Sequence, residues 1–322
     1  MKKLISLFVI VTMIVACMTF TVSANDVTST AAFIKDGTTV NKLTADINAT
    51  ETVELNGESL IVDLNGHKWT CPDIALNVIG GASVAKVFDS SEAKTGAIII
   101  ANNDAVKISN GELILENITV KGGDGGMDAV IVEGGKVTLT NCTLSAGKAA
   151  INADNNSDAA GVFADITVNG GKFVAYDGTA AQRNCAIELR KYGQVGSQNY
   201  PNGPKVTLTG DITFENAKIL AQDSYKKTIA EGVVAGEGAT VAFADITDAT
   251  FTETGSAYKA TTITYTYEAP EGGEGEGEGE GDTPNAPVTP DNPETSDAFV
   301  VAIVTVAMIA LAGVVVSKKV RA

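Results

Sequence analysis

A nine-residue phrase occurs twice, 24 residues apart. Gly111-Glu112-Leu113-Ile114-Leu115-Glu116-Asn117-Ile118-Thr119 is echoed by Gly135-Lys136-Val137-Thr138-Leu139-Thr140-Asn141-Cys142-Thr143. Both alternate apolar and polar residues, the period of a strand with one face in a core. Gly57, Gly81, Gly111 and Gly135 stand before or at the start of such runs, at intervals of 24, 30 and 24 residues. Similar units surround Gly171, Gly203 and Gly238. One unit of two or three short strands cannot bury both ends of its apolar face, but a stack of units can. With successive units paired in parallel at ~4.8 Å, about eight make a rod on the order of 40 Å long. The expected fold class is therefore all-β, a single parallel β-helix solenoid over residues 25–268. Val62, Leu64, Leu113, Leu115, Val137, Leu139, Ile166, Val168, Val206, Leu208 and Phe243 are expected to point inward. Asn65, Asn117 and Asn141 fall at strand ends, where Asn tolerates a left-handed backbone and can form ladders.

Leu60-Ile61-Val62-Asp63-Leu64-Asn65-Gly66-His67, then Val87-Phe88-Asp89-Ser90-Ser91 and Thr95-Gly96-Ala97-Ile98, resembles the first coils of right-handed parallel β-helix proteins of the pectin-lyase-like type, above all those on bacterial surfaces. The resemblance covers about residues 40–250 and rests on repeat wording, not on catalytic residues. The competing architecture is a pair of immunoglobulin-like sandwiches, with hairpin turns at Asn56, Asn65, Asn110, Asn169 and Asn202. A sandwich leaves the repeated wording without a reason.

The two ends carry an address. Lys2 and Lys3, the apolar run Leu4 to Ala16, and Val22-Ser23-Ala24 before Asn25 read as a signal peptide over 1–24, cut after Ala24. Ile14-Val15-Ala16-Cys17 also resembles a lipobox, with Cys17 the residue to be acylated. Residues 298–316 form an uncharged apolar run long enough for one transmembrane helix. The basic tail 317–322 places its end in the cytoplasm. Residues 269–297, with alternating Glu and Gly and then Pro284, Pro287, Pro290 and Pro293, read as a disordered stalk. Asn292, Pro293, Glu294, Thr295 and Ser296 ahead of the apolar run resemble a Gram-positive cell-wall sorting signal. That resemblance implies a sortase as partner, a cut after Thr295 and attachment to peptidoglycan. Asn292 stands where the family usually has Leu, and Ser296 where it has Gly or Asn. The expected location is the outer face of the cell, held in membrane or wall by the C-terminus.

Composition narrows the function. Asp plus Glu is 39 against 23 Lys plus Arg, a net charge of −16, and all the acids lie between the two terminal segments. Such a surface repels phosphate backbones, so no nucleic-acid partner is expected. One His and one Trp exclude a multi-histidine metal site and a Trp-rich sugar platform. His67 alone in a repeat phrase reads as structural, beside Trp69. Cys71, Cys142 and Cys185 cannot all pair, and Cys142 sits in a strand pattern as a small core residue.

The least repeat-like stretch runs from Tyr176 to Gly203. Tyr176, Arg183, Arg190, Lys191, Tyr192 and Tyr200 give it ring faces and cations in an otherwise acidic chain. Tyr stacks on sugars and Arg grips hydroxyls or carboxylates, so these are the candidate ligand-binding residues. β-Helix polysaccharide lyases use an Arg or Lys base with Asp-bound Ca²⁺. By that resemblance Asp154 and Asp158, with Asp165 nearby, are the Ca²⁺ candidates, and Arg183, Arg190 or Lys191 the base. The same acids also read as a solvated turn. No fixed motif joins them to the arginines, so no catalytic residue and no required cofactor is assigned. The reading is a non-enzymatic, adhesin-like surface protein binding extracellular carbohydrate or a host or matrix component. The alternatives are an anchored Ca²⁺-dependent lyase and a purely structural envelope component.

Overall fold

The structure is a computed structural model and describes residues 23–154, 162–175, 184–190, 203–215, 217–222, 225, 227–246, 251–253 and 256–269. All of these belong to one compact unit, Ser23–Glu271.

The chain begins with β1 (Ala24–Val27). The first repeat holds β2 (Asp36–Leu43), β3 (Ile47–Asn48) and β4 (Val53–Leu55). The second holds β5 (Ser59–Asp63), β6 (Lys68–Cys71) and β7 (Leu76–Val78). The third holds β8 (Val84–Phe88), β9 (Ala97–Ile100) and β10 (Val106–Ile108). The fourth holds β11 (Glu112–Glu116), β12 (Thr119–Lys121) and β13 (Asp128–Val132). In the next three repeats the first two strands fuse. These are β14 (Gly135–Ala146) with β15 (Ala149–Ala153), β16 (Ala164–Ala175) with β17 (Cys185–Leu189), and β18 (Lys205–Phe214) with β19 (Lys218–Gln222). Then follow β20 (Val233–Ala235), β21 (Ala239–Asp245), β22 (Phe251–Glu253) and β23 (Ser256–Tyr267).

Among β1 to β20 every strand pairs with another of them in parallel, and beyond the β1–β2 pair each joins its counterpart one repeat on; β23 then pairs antiparallel with β19 and β21. One sheet is built from the first and second strands, and another from the third strands β4 to β19. The described chain is all-β with long parallel sheets, compatible with a β-helix-like solenoid. Its core is made of in-register stacks. Leu76, Val106, Val130, Ile151, Ile187 and Ile219 follow one another across the third-strand sheet, all fully buried. Ten of the eleven residues expected to point inward are at most 1 % exposed. Phe243 is the exception. It is only partly buried against the core, because β21 pairs antiparallel with β23 and the parallel stack has already ended.

The corners explain the repeat wording. Asn65, Asn117 and Asn141 all have positive φ, between 47° and 56°. Asn141 Nδ2 donates to Asn117 Oδ1 at 3.5 Å, one rung of an inter-repeat ladder. Gly135 has φ +84°, and a Cβ there would come within 2.5 Å of the Gly111 carbonyl oxygen, so only glycine fits. Gly171 belongs to a different corner, stacked on Cys142. The Asn-Gly pairs at Asn56, Asn65, Asn110 and Asn169 turn between strands of one repeat or into the next; none closes an antiparallel hairpin.

Near the N-terminus Trp69 is fully buried, edge-on to Phe33 at 5.4 Å and 84°. Its Nε1 finds no hydrogen-bond partner among the described residues, which costs on the order of 1–3 kcal/mol.

Candidate functional site

The third-strand sheet has an outward row as well as an inward one. In register order it reads Glu54, Asn77, Lys107, Ile131, Asn152, Glu188. Glu54 is exposed and the next three are half-buried, whereas Asn152 and Glu188 are at most 1 % exposed. Around these two lies a buried polar cluster. Asp128 faces outward although its neighbours Ala129 and Val130 both pack in the main core. Its Oδ2 accepts Asn152 Nδ2 at 2.7 Å, its Oδ1 accepts the Ala149 amide at 3.1 Å, and Lys148 Nζ pairs with it. Asp104 Oδ1 accepts the Asp128 amide at 2.7 Å. A second small apolar cluster of Ala149, Cys185, Leu220, Tyr258 and Ala260 lies on the same side. Burial pushes the Cys185 thiol well up, and the charges of Glu188 and Asp128 add to this.

Among the predicted ligand residues, Arg190 is described. It follows β17 at the corner position where Asp154 follows β15, so stacking brings the two together. Arg190 Nε lies 3.4 Å from Glu188 Oε1 and 4.0 Å from Asp154 Oδ2, and its side chain is 15 % exposed. This guanidinium neutralises buried acids, so its first role is in the fold. Asp154, the nearer Ca²⁺ candidate, is 2 % exposed and faces this cation. Asp165 sits elsewhere, exposed on β16 in register between Lys136 and Lys205. Among the described residues no three acid, Cys or His side chains converge on a point that could hold a metal. Tyr176, Arg183, Lys191, Tyr192, Tyr200 and Asp158 lie outside the described residues, as do Asn292, Pro293, Glu294, Thr295 and Ser296 and the apolar run 298–316. No described helix is long and apolar enough to cross a membrane.

At the other end, Ala24 pairs with Val40, and Val40 N donates to Ser23 O at 3.1 Å. Asn25 Nδ2 donates to Ala32 O and Asn41 Oδ1 at 2.9 and 3.0 Å. A cut after Ala24 removes the first contact and leaves the second pair intact. His67 Nδ1 is 3.4 Å from Asp46 Oδ1, a surface corner contact. Cys71, Cys142 and Cys185 are buried free thiols. Burial pushes Cys142 up to about 12, which removes thiolate reactivity.

A shallow cleft of about 330 Å³ is lined by the turns leading into β8, β11 and β14, with Ser83, Asn110, Glu112 and Lys136 in its wall. Beside it runs an outward row of alternating sign across four parallel strands, Glu112, Lys136, Asp165 and Lys205. The next row is Thr138, Thr167 and Thr207. Sequence reasoning missed this face and the Asp128–Lys148–Asn152 cluster alike. The row was legible only once the register was known. The cluster's signal was a charged residue in a run without alternation, Lys148-Ala149-Ala150-Ile151.

No family model, no curated protein and no solved structure matches this chain.

Proposed function

We propose that the chain is a non-enzymatic surface protein, a right-handed parallel β-helix displayed outside the cell on a stalk and binding extracellular carbohydrate or a host or matrix component. The observation that carries this reading is the parallel stack whose outer face sets polar residues in rows across successive strands. Strands in register hold side chains ~4.8 Å apart along the stack, so a long partner meets Thr138, Thr167 and Thr207 in succession beside a row of alternating charge. The N-terminal signal, the Glu/Gly/Pro stalk and the C-terminal apolar run with its basic tail support the location.

The test is a glycan and matrix-protein panel run on the purified ectodomain, with and without calcium, scoring both retention and unsaturated products. Retention without products is expected. Tyr192→Ala and Arg183→Ala should weaken it by about 1 kcal/mol or more each. Arg190→Ala is a poor probe of binding, because it also strips Asp154 and Glu188 of their cation. Calcium-dependent products would instead establish the lyase, and would have to come from groups other than Asp154, which is buried against Arg190. Deleting residues 292–322 should release the protein to the medium, and retention on the cells would point to acylated Cys17.

A further inference from the structure

We propose that Lys148 and Asp128 condense into an intramolecular amide, a covalent cross-link between the fourth and fifth repeats. Lys148 Nζ is in direct contact with Asp128 Oδ2; the Asp128 side chain is fully buried and that of Lys148 is 11 % exposed. The carboxylate is held for attack at Cγ. Its Oδ1 accepts the Ala149 amide at 3.1 Å and its Oδ2 accepts Asn152 Nδ2 at 2.7 Å. Donors placed on a carbonyl in this way stabilise the negative charge that develops when a nucleophile adds. A second carboxyl stands beside the pair, since Asp104 Oδ1 accepts the Asp128 main-chain amide at 2.7 Å. Burial, and then the charge of Asp128, raise Asp104 above the ordinary carboxyl range, against the opposing pull of the Asp128 amide, Lys148 and Lys107. Asp104 touches the main chain of Asp128 and not the Lys148 ammonium itself, so it exchanges protons with the pair through one bridging water.

The step balances without oxidant or reductant. Asp104 takes a proton from the ammonium, and the freed Nζ lone pair attacks Asp128 Cγ. The C–N bond forms and the Cγ–Oδ2 bond breaks. In sum the ammonium gives up two protons, and the departing oxygen takes both and leaves as water. The fold holds the two groups together permanently, which removes the entropic barrier of a bimolecular reaction. Condensation also replaces a desolvated ion pair by a neutral amide. The new N–H requires an acceptor, and Asn152 Oδ1 is buried in this cluster with no hydrogen-bond partner among the described residues. Glu188, in register beside Asn152, continues the polar surroundings on the sixth repeat.

Mass spectrometry of the purified full chain decides the matter. The expected product is one water lighter than the sequence left once its ends are processed, and proteolysis yields a branched peptide joining the segment around residue 128 to that around residue 148. Lys148→Arg keeps the cation but forms no such amide, and should show the full sequence mass. Asp128→Asn can still condense, expelling ammonia, and should give the same cross-linked mass as the natural chain. Asp104→Asn keeps an acceptor for the Asp128 amide but carries no proton, and should slow formation on the order of a hundredfold. A natural chain at full mass, with the two peptides separate, overturns the proposal whether or not any variant folds. Formation at an unchanged rate in Asp104→Asn overturns the part given to Asp104.

Discussion

The outer face of the third-strand sheet changes character halfway along the stack. In the first three repeats it alternates as a strand with one wet face should, with Glu54, Asn77 and Lys107 exposed or half-buried between buried neighbours; β13 keeps only Ile131 half-buried, with Asp128, Ala129 and Val130 all buried. In β15 and β17 the alternation disappears: Ala149 to Ala153 and Cys185 to Leu189 are buried at every position. The backbone hydrogen bonding is the same parallel ladder in both regions, so the difference lies in what covers the outer face. Strands covered on both sides read as continuous runs, and any polar residue in them must be paired inside the protein. The Asp128, Lys148 and Asn152 cluster and the Glu188, Arg190 and Asp154 group both lie at this change.

The comparison breaks most severely if the shared ladder itself is disturbed. Gly135→Val forces a side chain into a left-handed backbone and against the Gly111 carbonyl, and should cost more than about 3 kcal/mol by denaturant or thermal unfolding. A near-neutral result would mean that the stacking at this corner is not as described. The contrast between the two halves is sharpened by a matched pair on one outer row. Leu220→Ala, in the covered half, should cost about 2–4 kcal/mol, and Ile131→Ala, in the open half, about 1 kcal/mol. Equal losses would remove the distinction.

Asp89→Ala tests the open half through its polar corner. The Asp89 carboxylate accepts the Gly66 and Ser91 amides at 2.9 Å and the Gly96 amide at 2.6 Å. Burial opposes its charge, but these bonds outweigh it and hold the group below the usual carboxylate range. A lowered folded-state pKa stabilises above the unfolded value and loses that contribution as pH falls through the folded one. The natural chain should therefore lose stability below about pH 4, and Asp89→Ala should be less stable by about 1–3 kcal/mol at pH 7 and flatter toward acid. An acid profile identical in the two proteins would assign the sensitivity to other carboxylates, Asp36 foremost, which the Thr39 and Thr38 amides lower to about 2. The smallest effect belongs to the exposed row: Lys136→Glu places three acids in succession with Glu112 and Asp165, and should cost roughly 0.5 kcal/mol, decreasing with salt.

Much of the stack was legible before any coordinates. Alternation at Leu113, Leu115, Val137, Leu139, Ile166 and Val168 gave the inward set, and the asparagines at 65, 117 and 141 gave the corners, because period-two burial and a left-handed backbone each leave a local mark. Reading Phe243 as one more inward residue of the solenoid failed for the same local reason: an alternating strand looks alike whether its neighbour runs parallel or antiparallel, and β21 turns out to pair with β23. Asp154 and Asp165, close in sequence, read as one acid cluster, yet one lies beside Arg190 and the other between Lys136 and Lys205.

By itself the amino-acid sequence determined the repeat length, the strand period, the core face and the glycine and asparagine corners, since each depends on residues a few positions apart. Only the tertiary structure decided which strands share an edge, that Asp128 meets Lys148 and Asp104 across adjacent repeats, and that Arg190 meets Asp154. Those meetings depend on register, which is set by strand pairing between repeats and not by local sequence: turns of unequal length precede β8, β11 and β14, yet their inward residues stay in line. A one-residue slip in the pairing of a strand would move its side chains to the opposite face.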